Sequence, residues 1–197
     1  MADRSIRISS IFIKIYTRFF IMNFDCSKIK LLISDVDGVW TDGTFYKGTD
    51  GIEFKRFTVL DGVGIAMARA ADLKIALISG RYSPATEERA KELEIEDLYN
   101  GRLNKIPAYD ELKAKYNLEN DAIAYIGDDI IDIPVMRKVA VPIAVANAVT
   151  EVKSIAVYTT QCTGGTGAFR EAVSWILEQR GQMDDVLKRM KDRIQNS

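Results

Sequence analysis

The segment Lys30-Leu31-Leu32-Ile33-Ser34-Asp35-Val36-Asp37-Gly38-Val39-Trp40-Thr41 carries an apolar run straight into two carboxylates one residue apart, followed by glycine. A strand alternates its side-chain direction, so Asp35 and Asp37 leave the same face of the strand end. Gly38 lets the backbone turn and present amide N–H groups to a ligand. Two acids on one face repel unless a cation lies between them or one stays protonated. Such a pair suits phosphoryl chemistry with magnesium: one aspartate attacks, its neighbour handles the proton, and the metal holds the charge. A strand-end pair that caps a helix or sits in a solvated turn is the plain alternative.

Three further segments repeat the theme of chemistry at a strand or loop end. Ile78-Ser79-Gly80-Arg81 offers a hydroxyl that can donate to a phosphoryl oxygen and a glycine that lets amides approach. Lys105 opens a helix, where its ammonium can join the N-terminal dipole at an anion. Tyr125-Ile126-Gly127-Asp128-Asp129-Ile130-Ile131-Asp132 again delivers acids at a strand end. Taken singly, each has an ordinary reading: a Ser-Gly turn, a solvated lysine, and a Ca²⁺-type turn that lacks the ligand set of an EF-hand loop.

Composition narrows the chemistry. The 197 residues are 47% hydrophobic and 28% charged, as expected of one globular domain with a sizeable core. A formal net charge of −1 gives no basic field for nucleic acid or a membrane surface. There is no histidine, which excludes Ser-His-Asp triads, His-ligated metals and imidazole acid–base steps. Cys26 and Cys162 lie far apart in sequence, fit no ligand pair and suit a reducing compartment.

The elements that must position these groups alternate. A hairpin is expected from Thr44–Tyr46 and Glu53–Phe57 around a glycine-containing turn. Asp61 is expected to cap a helix from Gly62 to about Ala71. Strand 74–78 precedes a helix capped by Ser83 with Pro84 at its first position. Strand 97–99, helix 106–116, strand 122–126, a short helix near Pro134, and strands 142–145 and 155–158 follow. A helix spans 168–177. This order predicts an α/β fold: a Rossmann-like parallel sheet with helices on both faces and a small β-hairpin insertion. Ligands in such sheets bind outside the carboxyl ends of the strands.

Together, Asp35-Val36-Asp37-Gly38-Val39-x-Thr41, Ser79, Lys105 and Gly127-Asp128-Asp129-x-x-Asp132, in this order, resemble the four motifs of the haloacid dehalogenase superfamily. The resemblance implies that Asp35 becomes an aspartyl phosphate while Asp37 protonates the leaving alkoxide and then activates water. It implies Mg²⁺ on the Asp35 carboxylate, the Asp37 backbone carbonyl and Asp128, with Asp129 and Asp132 behind, holding Lys105 or metal-bound waters. Gly38, Ser79, Gly80 and Lys105 would bind the phosphoryl group. Little chain separates the motifs, so no cap domain is expected.

The run 34–43, the hairpin, Asp61-Gly62-Val63-Gly64-Ile65, Ser79-Gly80-Arg81 and Gly164-Gly165-Thr166-Gly167-Ala168-Phe169-Arg170-Glu171 narrow the likeness. Over residues 28–178 they resemble the capless phosphatases of 3-deoxy-D-manno-octulosonate (KDO) 8-phosphate. That implies a cytoplasmic homotetramer in lipopolysaccharide synthesis, with Asp61 and Arg81 as substrate residues. Arg81 suits a sugar-acid carboxylate through its planar fork, against a surface ion pair with Glu87 or Glu88. Leu60 and Thr166 depart from that family, which commonly has cations there. Nine-carbon sugar-acid phosphates therefore stay open, as does a catalytically silent oligomerisation module, against which the intact acid and lysine set argues.

At the ends, Met22 reads as a natural start, with 1–21 a translated upstream artefact or an amphipathic arm. Residues 22–180 form the expected phosphatase domain. The tail 181–197 is helical, packed on its own domain or on a neighbouring subunit.

Overall fold

A computed structural model describes residues 25–195, so the expected extension 1–21 and Met22 lie outside the described residues. The described residues form eight strands: β1 (Leu31–Ser34), β2 (Tyr46–Lys47), β3 (Glu53–Phe54), β4 (Lys74–Ser79), β5 (Asp97–Asn100), β6 (Ile123–Gly127), β7 (Val141–Ala144) and β8 (Tyr158–Thr159). Six of them form one sheet in the order β5-β4-β1-β6-β7-β8, parallel throughout. Every residue of β1, β6 and β7 is buried. Strands buried on both faces need covering layers on both sides, which explains their unbroken Leu, Ile, Val and Ala content.

The helices are α1 (Val59–Ala70), α2 (Pro84–Glu92), α3 (Ile106–Tyr116), α4 (Ile133–Met136), α5 (Thr150–Lys153), α6 (Ala168–Gln179) and α7 (Met183–Gln195). The Ser83 hydroxyl accepts from the Thr86 amide, so the expected cap of α2 is present. Helix α3 runs over the expected span and ends on Asn117 in the left-handed region. Helix α7 seats Val186 in the core, with Met183 and Met190 partly buried, and Arg189 Nη1 donates to the Ala70 carbonyl at 2.8 Å. Among the described residues no helix is long and apolar enough to cross a membrane.

Three local expectations need correction. The hairpin pairs only Tyr46 with Phe54 and Lys47 with Glu53, since a two-stranded ribbon without a sheet behind it gains little from a longer ladder. The last strand starts at Tyr158 rather than Ile155, because helix α5 delivers the chain to this edge late; its first bond is Val157 N to Pro142 O at 2.9 Å.

Asp61 does not cap its own helix. Thr58 does, its side chain accepting from the Leu60 amide, so α1 begins three residues earlier. Asp61 is instead buried in the first turn, and its Oδ1 accepts from the Arg170 amide at 3.2 Å. Arg170 is the third residue of α6, so the carboxylate satisfies an orphan N–H of a different helix.

Burial pushes the Asp61 carboxyl up to about 6 from its ordinary 3.8, against the Arg170 amide and the charges of Arg89 and Arg170. The folded protein therefore keeps this proton through a window in which the unfolded chain releases it, and stability falls as pH rises from about 4 to about 6. Asp61→Asn lacks that proton. In urea denaturation the variant should gain on the parent by on the order of 3 kcal/mol between about pH 4 and pH 6.5. A difference independent of pH would contradict this reading.

Candidate active site

The carboxyl ends of β1, β4 and β6 converge on a cavity of about 540 Å³ lined by Asp35, Asp37, Gly43, Phe45, Gly80, Arg81, Leu103, Asp128, Asp129 and Ile131. Parallel register explains the convergence: Ser34 sits beside Leu77 and Ile126, so the residues that leave β1, β4 and β6 emerge at one level.

Asp35 follows β1 and is almost fully buried. Its Oδ1 lies 2.7 Å from Lys105 Nζ, and the same ammonium donates to Asp132 Oδ1 at 2.7 Å and to Tyr125 Oη at 3.1 Å. The Tyr125 hydroxyl donates in turn to Asp132 Oδ1 at 2.5 Å. Asp132 Oδ2 accepts from the Asp128 and Asp129 amides at 3.0 and 3.3 Å, which fixes the loop after β6. Burial alone would push the Lys105 ammonium down, but Asp35 and Asp132 outweigh it and hold it above its ordinary value.

Charge balance fails on the other side. Oxygens of Asp35, Asp128 and Asp132 lie within 4.8 Å of one another. Among the described residues, Lys105 is the one cation paired with them. Asp128 Oδ1 is buried and has no hydrogen-bond partner among the described residues. Burial, then the charges of Asp35 and Asp132, push the Asp128 carboxyl up to about 8. Burial likewise raises Asp35 to about 6, despite Lys105. An orphaned buried oxygen beside two further acids is the donor set of a hard divalent cation.

Gly38 makes this proximity possible. Its φ is +91°, and a Cβ there would sit 1.9 Å from Asp128 Oδ2. The glycine-rich segment before α6 presses on the same loop: a Cβ on Gly164 would meet the Gly38 carbonyl oxygen at 1.8 Å, and the Gly165 amide donates to Val39 O at 3.0 Å. Below, Trp40 Nε1 donates to Ser34 Oγ at 2.9 Å, and Ser34 Oγ donates to the Asp35 carbonyl at 2.6 Å.

The structure places the other expected residues less uniformly. Gly80 lines the cavity, whereas the buried Ser79 hydroxyl donates to the Arg81 carbonyl at 2.8 Å. Asp129 is exposed at the rim and accepts from the Ile130 amide at 2.7 Å, capping the turn 130–132 rather than binding Lys105. Asp61, expected at the substrate, does not line this cavity; its carboxylate serves α6 instead. Arg81 does line the cavity, but its fork already holds Glu53, with Nη1–Oε2 at 2.6 Å and Nη2–Oε1 at 3.0 Å. Neither Glu87 nor Glu88 takes that place. Phe45 stacks on the guanidinium at 4.1 Å.

Two functional neighbours were not singled out from sequence. Glu53 accepts from Arg81 and, at 2.6 Å, from Ser83 Oγ; the Arg81 bonds, then that of Ser83, hold its carboxyl at about 2, well below the usual range. Lys55 donates to Asp37 Oδ1 at 2.6 Å and to Thr86 Oγ1 at 3.1 Å, its side chain fully buried. A readable signal existed: Glu53 and Lys55 are two apart and so share a face, while Phe54 between them is exposed.

An open parallel sheet with acids after its two central strands is the frame of the haloacid dehalogenase-like hydrolases, and the description of that family matches residues 91–170. The 3-deoxy-D-manno-octulosonate 8-phosphate phosphatase KdsC of Escherichia coli K12 is 43% identical over 157 residues, 80% of this chain and 84% of that one. The crystal structure of the Yersinia pestis enzyme of the same name superposes with a TM-score of 0.79 at 42% identity, covering 81% of this chain and 86% of that one. The Moraxella catarrhalis enzyme, solved in complex with magnesium ion, phosphate ion and a KDO molecule, gives 0.81 at 34% identity, covering 86% and 97%. The chain belongs to the 3-deoxy-D-manno-octulosonate 8-phosphate phosphatase family of these hydrolases.

Removing the buried ammonium should leave Asp35 and Asp132 uncompensated. Lys105→Met should therefore lower stability by about 3–5 kcal/mol in chemical denaturation at neutral pH. A loss within about 0.5 kcal/mol, the range of an ordinary surface change, would contradict the buried-pair account.

Proposed function

We propose that this protein is a Mg²⁺-dependent phosphatase that hydrolyses KDO 8-phosphate to KDO and phosphate through an aspartyl phosphate on Asp35. The observation that carries the reading is the buried Asp35–Lys105–Asp132 array beside the orphaned Asp128 oxygen. The Asp35 and Asp128 carboxylates, with the Asp37 backbone carbonyl, would hold the Mg²⁺. When bound, the ion supplies positive charge that offsets repulsion between carboxylate and phosphate.

The residues act in two half-reactions. An Asp35 carboxylate oxygen attacks phosphorus in line, and the bond to the leaving oxygen breaks. Asp37 gives that oxygen a proton, then takes one from the water that hydrolyses the acyl phosphate. Lys105 holds Asp35 in place and, with amides at Gly38 and Gly80, stabilises the transferring group. Ser79 fixes the loop after β4 through the Arg81 carbonyl, from which a hydroxyl rotation would bring its proton to phosphate.

The family likeness supports the eight-carbon substrate. Leu60 and Thr166, the two neutral departures, are both exposed and outside the cavity, and Leu60 lies against Gly167, next to Thr166. The loss of a cation at each of these two positions is what keeps the nine-carbon alternative open. The exposed Phe45, Tyr46, Ile52 and Phe54 of the hairpin support a homotetramer whose subunits help close an otherwise open site. A cytoplasmic place in lipopolysaccharide synthesis follows from that substrate.

Phosphate release with Mg²⁺ and with EDTA, from KDO 8-phosphate beside a nine-carbon sugar-acid 9-phosphate, tests the reading. The expected result is metal-dependent turnover that prefers the eight-carbon substrate. Preference for the nine-carbon compound would reassign the substrate, and turnover of neither would remove the sugar-acid assignment. Asp35→Asn should abolish turnover while light scattering still reports a tetramer; parent-like turnover in that variant would sink the nucleophile assignment.

A further inference from the structure

We infer that Lys55 is a positioning residue for proton transfer: its buried ammonium locks one oxygen of Asp37 and aims the other at the leaving group. The inference rests on the phosphatase reading above and adds a residue that the sequence motifs do not include.

The geometry is specific. Lys55 follows β3, and its side chain, fully removed from solvent, ends 2.6 Å from Asp37 Oδ1. Thr86 Oγ1, buried on α2, fixes the same ammonium from behind at 3.1 Å. Asp37 Oδ2 lies 3.8 Å from Arg81 Nε, beyond hydrogen-bond length, and no other hydrogen bond to it is found among the described residues. One oxygen of Asp37 is thus committed, and Oδ2 is left to exchange a proton in the cavity.

Anchoring the hairpin does not by itself require a buried charge. Glu53 already ties it to Arg81 and Ser83 through three hydrogen bonds. Stripping water from an ammonium costs several kcal/mol, and an apolar side chain of similar length would pack at lower cost. What a lysine adds here is a fixed torsion for Asp37. Proton transfer is sensitive to that, because misplacing a reacting group by about 1 Å can cost on the order of 100-fold in rate. Glu53 and Lys55 share one face of the ribbon, so seating the hairpin both closes one wall of the cavity and sets Asp37.

The test separates positioning from general structural support by leaving group. Only an alkyl phosphate needs its departing oxygen protonated; p-nitrophenolate leaves as a stable anion. The quantity to compare is kcat/KM, which reports steps up to formation of the aspartyl phosphate and is blind to later water activation. For Lys55→Met, kcat/KM with KDO 8-phosphate should fall about 100-fold, the usual scale of a general-acid contribution, while p-nitrophenyl phosphate loses less than about 5-fold. Thr86→Val, which loosens Lys55 without removing it, should show a smaller loss of the same selectivity and serves if Lys55→Met does not fold.

Asp37→Asn in the same assay sets the benchmark. Equal losses on both substrates in Lys55→Met, or no loss on either, would overturn the inference while a selective Asp37→Asn leaves the phosphatase reading intact. If Asp37→Asn itself is unselective, the role given to Asp37 fails, and the inference fails with it.

Discussion

Everything at this site follows from burying more negative charge than the described residues around it neutralise. Asp35, Asp128 and Asp132 bring oxygens within 4.8 Å of one another, and among the described residues Lys105 is the one ammonium between them. Lone buried carboxylates are expensive, and the raised values of Asp35 and Asp128 record that cost. The parallel sheet is what enforces the crowding. Strands β1 and β6 are neighbours in register, so acids that follow both must emerge together. Gly38 and Gly164 remove the side-chain bulk that would keep the loops apart.

The resulting strain is useful because each charge has a direction. Lys105 spans Asp35 and Asp132 rather than pointing at solvent, and Tyr125 shares the Asp132 oxygen from the strand below. The unpartnered Asp128 oxygen marks the place where the described residues supply no counter-charge. A second set, built on the hairpin, completes the rim. Arg81 is clamped by Glu53 and covered by Phe45, and Asp37 is held by Lys55. The hairpin is thus part of the site's electrostatics as well as its wall.

Much of this was legible in sequence because it depends on local rules. Strand-end acids, a Ser83-Pro84 helix start and the span of α3 need only alternation, capping chemistry and turn residues. What was not legible depends on contacts far apart in the chain. Asp61 looked like a local cap and, by likeness, a substrate residue; its carboxylate meets the Arg170 amide 109 positions away. Arg81 looked free for a sugar acid, but a hairpin glutamate 28 positions earlier occupies its fork. Asp129 and Asp132 looked equivalent, yet one caps a turn at the rim and the other lies buried on Lys105. Helical or strand periodicity assigns a face to a residue and leaves its partner unspecified.

If the uncompensated acids hold a divalent cation on which the chemistry depends, Mg²⁺ should bind the chain and Asp128 should be needed for it. Calorimetric titration of Mg²⁺ into the full chain, in parallel with Asp128→Asn, tests it most directly. Saturable binding of one ion per chain is expected in the parent, and loss of that binding in the variant, with the fold retained by circular dichroism. Equal affinity in parent and variant, or no binding in either, would contradict it.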